Sequence, residues 1–383
     1  MTATVAPMTD VLAQRIAAVR ERLAAIPADV LIVSRSANIR YLSGFRLREG
    51  EEKVAGYSGT LVISPERLVI LADFRYLEQA EDETDGWDVQ RTRRPIKDDL
   101  PPLLQEMGAR RVASEADVVS HATWTAVAEA APDVEFVPTP WKGGELREVK
   151  SPDEVAAIER ACRLGDRAFE FVLRSARAGM TEVDLAWQME RWFRESGAEA
   201  LAFDPAILAG PKAAMPHGRP DDTPIAPGNV LLLDFGCQVD GYRSDMTRTV
   251  FIGPPSDAQR RIYELVLDAQ QRALDGIRPG MSGRDADALA RDHITANGHG
   301  DDFGHSLGHG IGLETHELPN LGTMSESTLQ PGMVFSVEPG IYLPGDTGVR
   351  IEDIVVLEQD GVRRLTQSPR EPLVIDAAAA DGR

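Results

Sequence analysis

The chain has 383 residues, enough for two domains that each bury a core, and it is 27% charged and 43% hydrophobic. That balance excludes a disordered chain. A formal net charge of -20 argues against nucleic acid or an anionic membrane surface as the main partner. The start, MTATVAPMTDVLAQR, has no basic stretch leading into an apolar core, and no apolar run reaches the roughly 20 residues of a membrane span. The expectation is a cytoplasmic protein. The two cysteines, Cys162 on an apolar helical stripe and Cys237 behind an apolar strand, read as separate core thiols rather than a disulfide.

In chain order, residues 11–25 place Leu12, Ile16, Val19 and Leu23 at helical spacing, followed by a short strand, Asp29–Val33. Gly59–Ile63 and Arg67–Leu71 flank Ser64-Pro65-Glu66 and read as a hairpin. A strand from Arg111, a helix over Ala116–Ala130 and a strand at Val134–Val137 complete a small α/β domain over residues 1–145. A connector follows, Pro138-Thr-Pro140-Trp-Lys-Gly-Gly144, and then Ser151-Pro152-Asp153-Glu154 opens a helix with Ser as cap, Pro at the first position and Glu closing a capping box. Thr181-Glu-Val-Asp184 starts a second helix, and residues 256–276 and 282–297 read as two more. Between these pairs lie strands at Phe203–Gly210, Asn229–Gly236 and Tyr242–Ile252, the last two joined by a turn at Val239-Asp240-Gly241. The larger domain, residues 150–383, therefore reads as two similar halves, each with a pair of helices backing a curved antiparallel sheet.

Five residues in that domain have the chemistry of metal ligands: Asp234 in LLLDFGC, Asp245 in YRSDMTRT, His309 in GHSLGHGIGLETHE, Glu338 in FSVEPGIY and Glu352 in VRIEDIVV. Four carboxylates and an imidazole suit two adjacent divalent cations, because carboxylates bridge and offset the charge of close metals. A set this rich in oxygen suits Mn(II)-like ions better than soft ones. Two such ions, roughly 3.5–4 Å apart in sites of this kind, clamp and deprotonate a water. Asp234 ends an apolar run and Asp245 returns on the same hairpin, so the two fall opposite or nearly opposite across the ladder. Glu352 stands inside a buried-looking run, where an unpaired carboxylate is costly unless a metal or Arg350 answers it. His305, His309 and His316 share one glycine-rich segment, and His217 precedes Asp234 by a short loop and strand, within reach to donate a proton or stabilise an oxyanion.

On these phrases the chain resembles the pita-bread metallopeptidases that include aminopeptidase P and prolidase, over most of its length and most closely over 150–360. The resemblance implies an α+β protein, with a C-terminal pita-bread domain (creatinase/aminopeptidase-like, with a curved antiparallel sheet) preceded by a smaller creatinase-type α/β domain. It implies two metals per chain, most often Mn(II), with Co(II) or Zn(II) as alternatives. Asp234 would hold one metal, His309 and Glu338 the other, and Asp245 and Glu352 would bridge both. A water or hydroxide between the metals would be the nucleophile, with Glu338 accepting and donating the proton. By the same resemblance, His217 and His316 stabilise the tetrahedral intermediate and assist the leaving nitrogen, His305 lines the substrate pocket, and Arg350 supports the bridging carboxylate. Relatives of this kind usually dimerise, so a homodimer acting on proline-containing peptides is expected.

The chemistry fits the residues. An Xaa-Pro bond lacks an N–H and restricts the residue before it, so it needs a dedicated site. One departure bears on specificity. Several prolidases carry an arginine soon after the HE-x-P stretch for the substrate carboxylate, whereas here Glu317-Leu-Pro319 is followed by Asn320. That favours an aminopeptidase P type enzyme over an Xaa-Pro dipeptidase, unless another arginine substitutes; Arg46 and Arg48 are the candidates. Methionine aminopeptidase is disfavoured by the extra N-terminal domain, a creatinase-like amidinohydrolase by the complete ligand set. A non-catalytic binding protein on the same fold would be expected to have lost ligands.

Overall fold

Residues 9–47, 56–93, 95–139 and 143–376 are described by the computed structural model of the chain, which divides into two units, Met1–Leu146 and Arg147–Arg383. In the first, Thr9 caps helix α1 (Asp10–Ala25), whose Ile16, Val19 and Leu23 are buried as their spacing predicts. Strand β1 (Val30–Val33) is buried along its whole length. Then come α2 (Ser36–Ser43), β2 (Thr60–Ile63), β3 (Leu68–Ala72), α3 (Leu77–Glu83), β4 (Asp88–Arg91), α4 (Ile96–Glu106), β5 (Arg111–Glu115), α5 (His121–Ala130) and β6 (Glu135–Thr139). The strands form one mixed sheet in the order β4-β3-β2-β1-β5-β6. Its β1–β2 and β2–β3 pairs are antiparallel and the rest parallel. The hairpin at Ser64 closes as expected, with Ser64 Oγ accepting the N–H groups of Glu66 and Arg67.

One expectation for this unit needs correction, and three helices go beyond it. The helix expected from Ala116 begins at His121, because Ser120 caps it by accepting the N–H of Thr123 at 3.1 Å. Helices α2, α3 and α4 escape the sequence pattern: α2 and α3 are short and lack a side-chain cap, and α4 carries Pro101 and Pro102 in its interior.

The second unit begins with α6 (Pro152–Ser175) and α7 (Glu182–Glu195), both opened by capping boxes, Ser151 with Glu154 and Thr181 with Asp184. Next are β7 (Ala200–Leu201), β8 (Ala206–Ala209), β9 (Val230–Phe235), β10 (Cys237–Val239), β11 (Tyr242–Arg243) and β12 (Met246–Ile252). Helices α8 (Asp257–Gly276) and α9 (Gly283–Ala296) follow, then β13 (Gly308–Gly310), β14 (Glu317–Leu321), β15 (Val334–Val337), β16 (Gly340–Leu343), β17 (Thr347–Arg350), β18 (Asp353–Glu358), β19 (Gly361–Arg364) and β20 (Val374–Ile375). One sheet runs β20-β12-β9-β8 and another β14-β13-β15-β18-β19. Helices α6 and α7 pack Phe169, Leu185, Met189 and Phe193 against Leu231, Leu233 and Phe235 of β9. Helices α8 and α9 pack Val266, Ala273, Ala290 and Ile294 in a core with Phe335, Val337 and Val355 of the second sheet. The paired-helix halves read from the sequence are therefore present. The end of β17 and the residues after it are tied to β12 where Glu352 donates its N–H to the Thr247 carbonyl at 3.1 Å and Thr249 Oγ1 donates to the Arg350 carbonyl at 3.0 Å.

The turn between β10 and β11 is built by Asp240 (φ 50°) and Gly241 (φ 77°), the left-handed pair that a tight hairpin requires. Cys162 and Cys237 are free and buried, and burial pushes the Cys237 thiol up to about 12, as suits core thiols. Among the described residues no helix is long and apolar enough to cross a membrane.

Candidate metal centre

Strand period places the acidic residues. Asp234 pairs with Thr247 across the β9–β12 ladder, and Asp245 lies two residues before Thr247, just ahead of β12. The aspartates are thus diagonal neighbours on one face. The close hairpin depends on Gly236, because a Cβ there would stand 1.9 Å from the Ser244 carbonyl oxygen. His309 is the middle residue of β13, Glu338 directly follows β15 and Glu352 sits between β17 and β18.

These five residues, with His217, His305, His316 and Arg350, line a single cavity of about 490 Å³. Asp245, His309 and Glu352 each offer a ligand atom within 4.8 Å of the others. His309 Nε2 stands 3.3 Å from Glu338 Oε1 and 3.8 Å from Asp245 Oδ2. His309 Nδ1 faces the Gly310 carbonyl at 3.0 Å, so that nitrogen carries the proton and Nε2 presents its lone pair to the carboxylates. Burial lowers the His309 pKa and favours this neutral form.

Within this cavity three buried carboxylate oxygens, Asp234 Oδ1, Asp245 Oδ1 and Glu352 Oε1, have no hydrogen-bond partner among the described residues. Orphaned buried acceptors of this kind are costly and call for an explanation. Burial and then mutual repulsion push the Asp245 and Glu352 carboxyls well above the ordinary range, and burial raises Glu338 as well. Oxygen-rich donors, unsatisfied lone pairs and clustered negative charge fit divalent cations, which would satisfy the orphans and cancel the repulsion. The donor set fits the group that the sequence implies.

A second layer holds these ligands, and most of it was not read from the sequence. Arg350 is 4% exposed, and its guanidinium donates to Asp234 Oδ2 at 2.5 Å, Thr247 Oγ1 at 2.9 Å and Tyr342 OH at 2.8 Å. Thr247 Oγ1 in turn donates to Glu352 Oε2 at 2.7 Å. The expected support of Glu352 by Arg350 is therefore indirect, relayed through the threonine, while the direct partner of Arg350 is Asp234. Ser336 Oγ donates to Glu338 Oε1 at 2.8 Å and accepts the His309 N–H at 3.0 Å. Thr247, Ser336 and Tyr342 were missed, although Thr247 and Ser336 each stand two residues from a proposed ligand, on the same face of a strand.

His305 lines the cavity, but both of its ring nitrogens are engaged. Nδ1 faces the Ser306 carbonyl at 2.8 Å, and Nε2 lies 2.8 Å from Tyr342 OH, which already accepts from Arg350. It is a wall of the site rather than a free base. His217 and His316 are exposed to the cavity, and the His316 ring centroid is 4.2 Å from that of His309. Asn320 also lines the cavity, and Arg219 stands at its mouth, 3.5 Å from Asp204. Arg46 belongs to the other unit and is held by Glu83, through its own N–H at 2.8 Å and its guanidinium at 3.4 Å. Arg48 lies outside the described residues.

Fold and site together point to a metal-dependent hydrolase whose carboxylate-rich cavity can hold a divalent cation on Asp245, His309 and Glu352. The model of metallopeptidase family M24 matches residues 156–359, and that of the creatinase/prolidase N-terminal domain matches 15–149. A Bacillus subtilis protein described as uncharacterized peptidase YqhT is 38% identical over 347 residues, 91% of this chain and 96% of its own. A solved Xaa-Pro dipeptidase from Bacillus anthracis superposes with a TM-score of 0.89 at 37% identity, covering 95% of this chain and 99% of that one. An X-Pro aminopeptidase from Thermotoga maritima gives 0.83 at 36% identity, covering 93% and 99%. The chain belongs to metallopeptidase family M24 and has its two-domain pita-bread fold.

Proposed function

We propose that the chain is a two-metal exopeptidase that cleaves the bond between an N-terminal residue and a following proline, with an aminopeptidase P type range that includes peptides longer than a dipeptide. The observation that carries the hydrolytic reading is the set of three orphaned carboxylate oxygens facing one cavity beside a neutral His309. The proline specificity is supported by relatives described as acting on X-Pro substrates. Asp234 would hold one cation, His309 and Glu338 the other, and Asp245 and Glu352 both. Bound there, such ions polarise a carbonyl and acidify a water. Glu338, 3.3 Å from His309 Nε2 and held by Ser336 Oγ, would take a proton from that water and return it to the leaving nitrogen. His217 and His316 face the cavity as donors to the developing oxyanion and the departing amine. Manganese as the resident metal, a homodimer and a cytoplasmic location belong to the same reading.

A dipeptidase is the second reading, and Arg219 favours it. Its side chain and that of Asp204 are both 83% exposed at 3.5 Å, and an exposed pair of this sort contributes only about 0–1 kcal/mol. The guanidinium is free to leave Asp204 for a substrate carboxylate, a role for which Asn320 has no charge. Hydrolysis of Ala-Pro and Ala-Pro-Ala by metal-stripped protein, with and without added Mn(II), separates the readings. Cleavage of the tripeptide, with or without the dipeptide, is the expected result. Cleavage of the dipeptide alone makes the enzyme a dipeptidase, and inactivity on both with metal bound removes the proline specificity.

A further inference from the structure

Next to the metal cavity lies a cluster of four charged side chains that the hydrolytic reading leaves unused. Arg147 and Lys150 precede α6, and Glu314 and Glu317 belong to the loop and strand that carry His316. The Arg147, Lys150 and Glu317 side chains are 3%, 1% and 1% exposed. Arg147 pairs with Glu314 and, at 2.9 Å, with Glu317 Oε1, while Lys150 Nζ stands 3.2 Å from Glu317 Oε2. Glu317 Oε1 also accepts the Glu314 N–H at 3.0 Å, closing the loop on itself. Gly312 makes room for this carboxylate, since a Cβ there would lie 2.7 Å from Glu317 Oε2.

As a device for stability the cluster is poor. Ions taken out of water cost several kcal/mol each, and apolar side chains of similar volume usually serve as well. Among the described residues Arg147 Nε has no hydrogen-bond partner, and Arg147 NH1 and Glu317 Oε2 make charge contacts without an aligned hydrogen bond, which deepens the cost. What the cluster does provide is a fixed loop. On the other side of His316, Thr315 Oγ1 accepts from Arg243 NH1 at 2.9 Å and donates to the Ala202 carbonyl at 3.1 Å, and Arg243 donates its N–H to the Gly312 carbonyl at 2.8 Å. Both chain neighbours of His316 are therefore pinned, while its imidazole faces the cavity against the His309 ring.

We infer that Arg147, Lys150, Glu314 and Glu317 form a positioning brace that holds the 312–317 loop so that His316 stands at the working distance from the metal ligands. The inference rests on the proposed role of His316 in turnover. The brace acts through the imidazole and touches no substrate, so removing it lowers kcat only while His316 is present.

The test is a double-mutant cycle on the full, Mn(II)-loaded chain, with Lys150→Met and Glu314→Gln each made alone and in a His316→Ala background. Lys150→Met is expected to lower kcat by about 10–100-fold, the range that a misplacement on the order of 1 Å produces. KM and metal content are expected to stay within about twofold, and Lys150→Arg to recover most of the rate. In the His316→Ala background the same change is expected to alter kcat by less than about twofold. Equal losses in both backgrounds, or no loss, would overturn the brace. Should Lys150→Met fail to fold, Glu314→Gln, at a carboxylate that is 31% exposed, runs the same cycle with a smaller loss. A wild-type chain inactive on Xaa-Pro peptides would sink the peptidase reading instead. The brace is then read from the His316 ring signals of metal-free, 15N-histidine-labelled protein. Lys150→Met is expected to shift and broaden them while those of His299 stay in place, and unmoved His316 signals would overturn the inference.

Discussion

Replacing Thr247 with valine removes one hydroxyl from the wall of the metal centre and changes the shape of the side chain little. Thr247 is fully buried, and its Oγ1 donates to Glu352 Oε2 at 2.7 Å while accepting from Arg350 Nε at 2.9 Å. The other Glu352 oxygen has no hydrogen bond among the described residues, so this hydroxyl is the side-chain donor that orients Glu352 before a cation arrives. A hydrogen bond to a charged group contributes roughly 1.5–3 kcal/mol. Independently, losing an outer partner of a metal ligand costs about 10–100-fold in affinity, equivalent to about 1.4–2.8 kcal/mol. Both routes give ~2 kcal/mol, or about 30-fold. Titration of metal-free protein with Mn(II), with the free ion followed by electron paramagnetic resonance, measures it directly. Thr247→Val is expected to weaken at least one of two binding events by about 30-fold, and Thr247→Ser to bind within a few fold of wild type. Wild-type affinity in the valine variant would refute the claim that the Arg350–Thr247–Glu352 relay organises the site.

Asp245→Asn is expected to lose metal and nearly all activity, because a neutral amide bridges cations poorly, and full activity at normal metal content would remove Asp245 from the ligand set. His316→Ala is expected to keep two metals by elemental analysis while kcat drops by about 100-fold or more, the scale of general acid–base and oxyanion assistance; loss of metal would make His316 a ligand. The raised carboxyls of Asp245 and Glu352 mean that the metal-free fold holds protons there that the unfolded chain releases near pH ~4. Metal-free protein should therefore lose stability as pH rises above that value, whereas Mn(II) uptake releases protons and its affinity strengthens with pH. Melting temperatures across pH with and without Mn(II) check this, and parallel trends would contradict it. Gly236→Ala forces a methyl to within 1.9 Å of the Ser244 carbonyl, and overpacking of this severity should cost about 2–3 kcal/mol or more in denaturant unfolding.

The sequence was most legible where one local pattern decides the structure. Capping boxes opened α6 and α7 where expected, and the Asp240-Gly241 turn placed the hairpin that brings Asp234 and Asp245 together. The five proposed ligands drew notice by different local signals: Asp234 and Glu338 end apolar runs, Asp245 returns on the hairpin of Asp234, Glu352 stands inside an apolar run, and His309 lies in a glycine-rich segment. What stayed hidden depends on tertiary context. Thr247, Ser336 and Tyr342 are ordinary strand residues until Arg350, the His309 backbone and His305 arrive from other elements. The two prolines inside α4 hid a helix whose Leu100, Leu103 and Leu104 are nonetheless buried. The Arg147–Glu317 pair spans 170 positions, and nothing local to either residue announces it.

The central claim is that Asp234, Asp245, His309, Glu338 and Glu352 hold two cations in one cavity. The most direct test is an anomalous difference map from crystals grown with Mn(II), recorded on both sides of the manganese absorption edge. Two peaks are expected, one on Asp234 and one on His309 and Glu338, with Asp245 and Glu352 reaching both. A single peak, none, or manganese only elsewhere on the chain would contradict the claim.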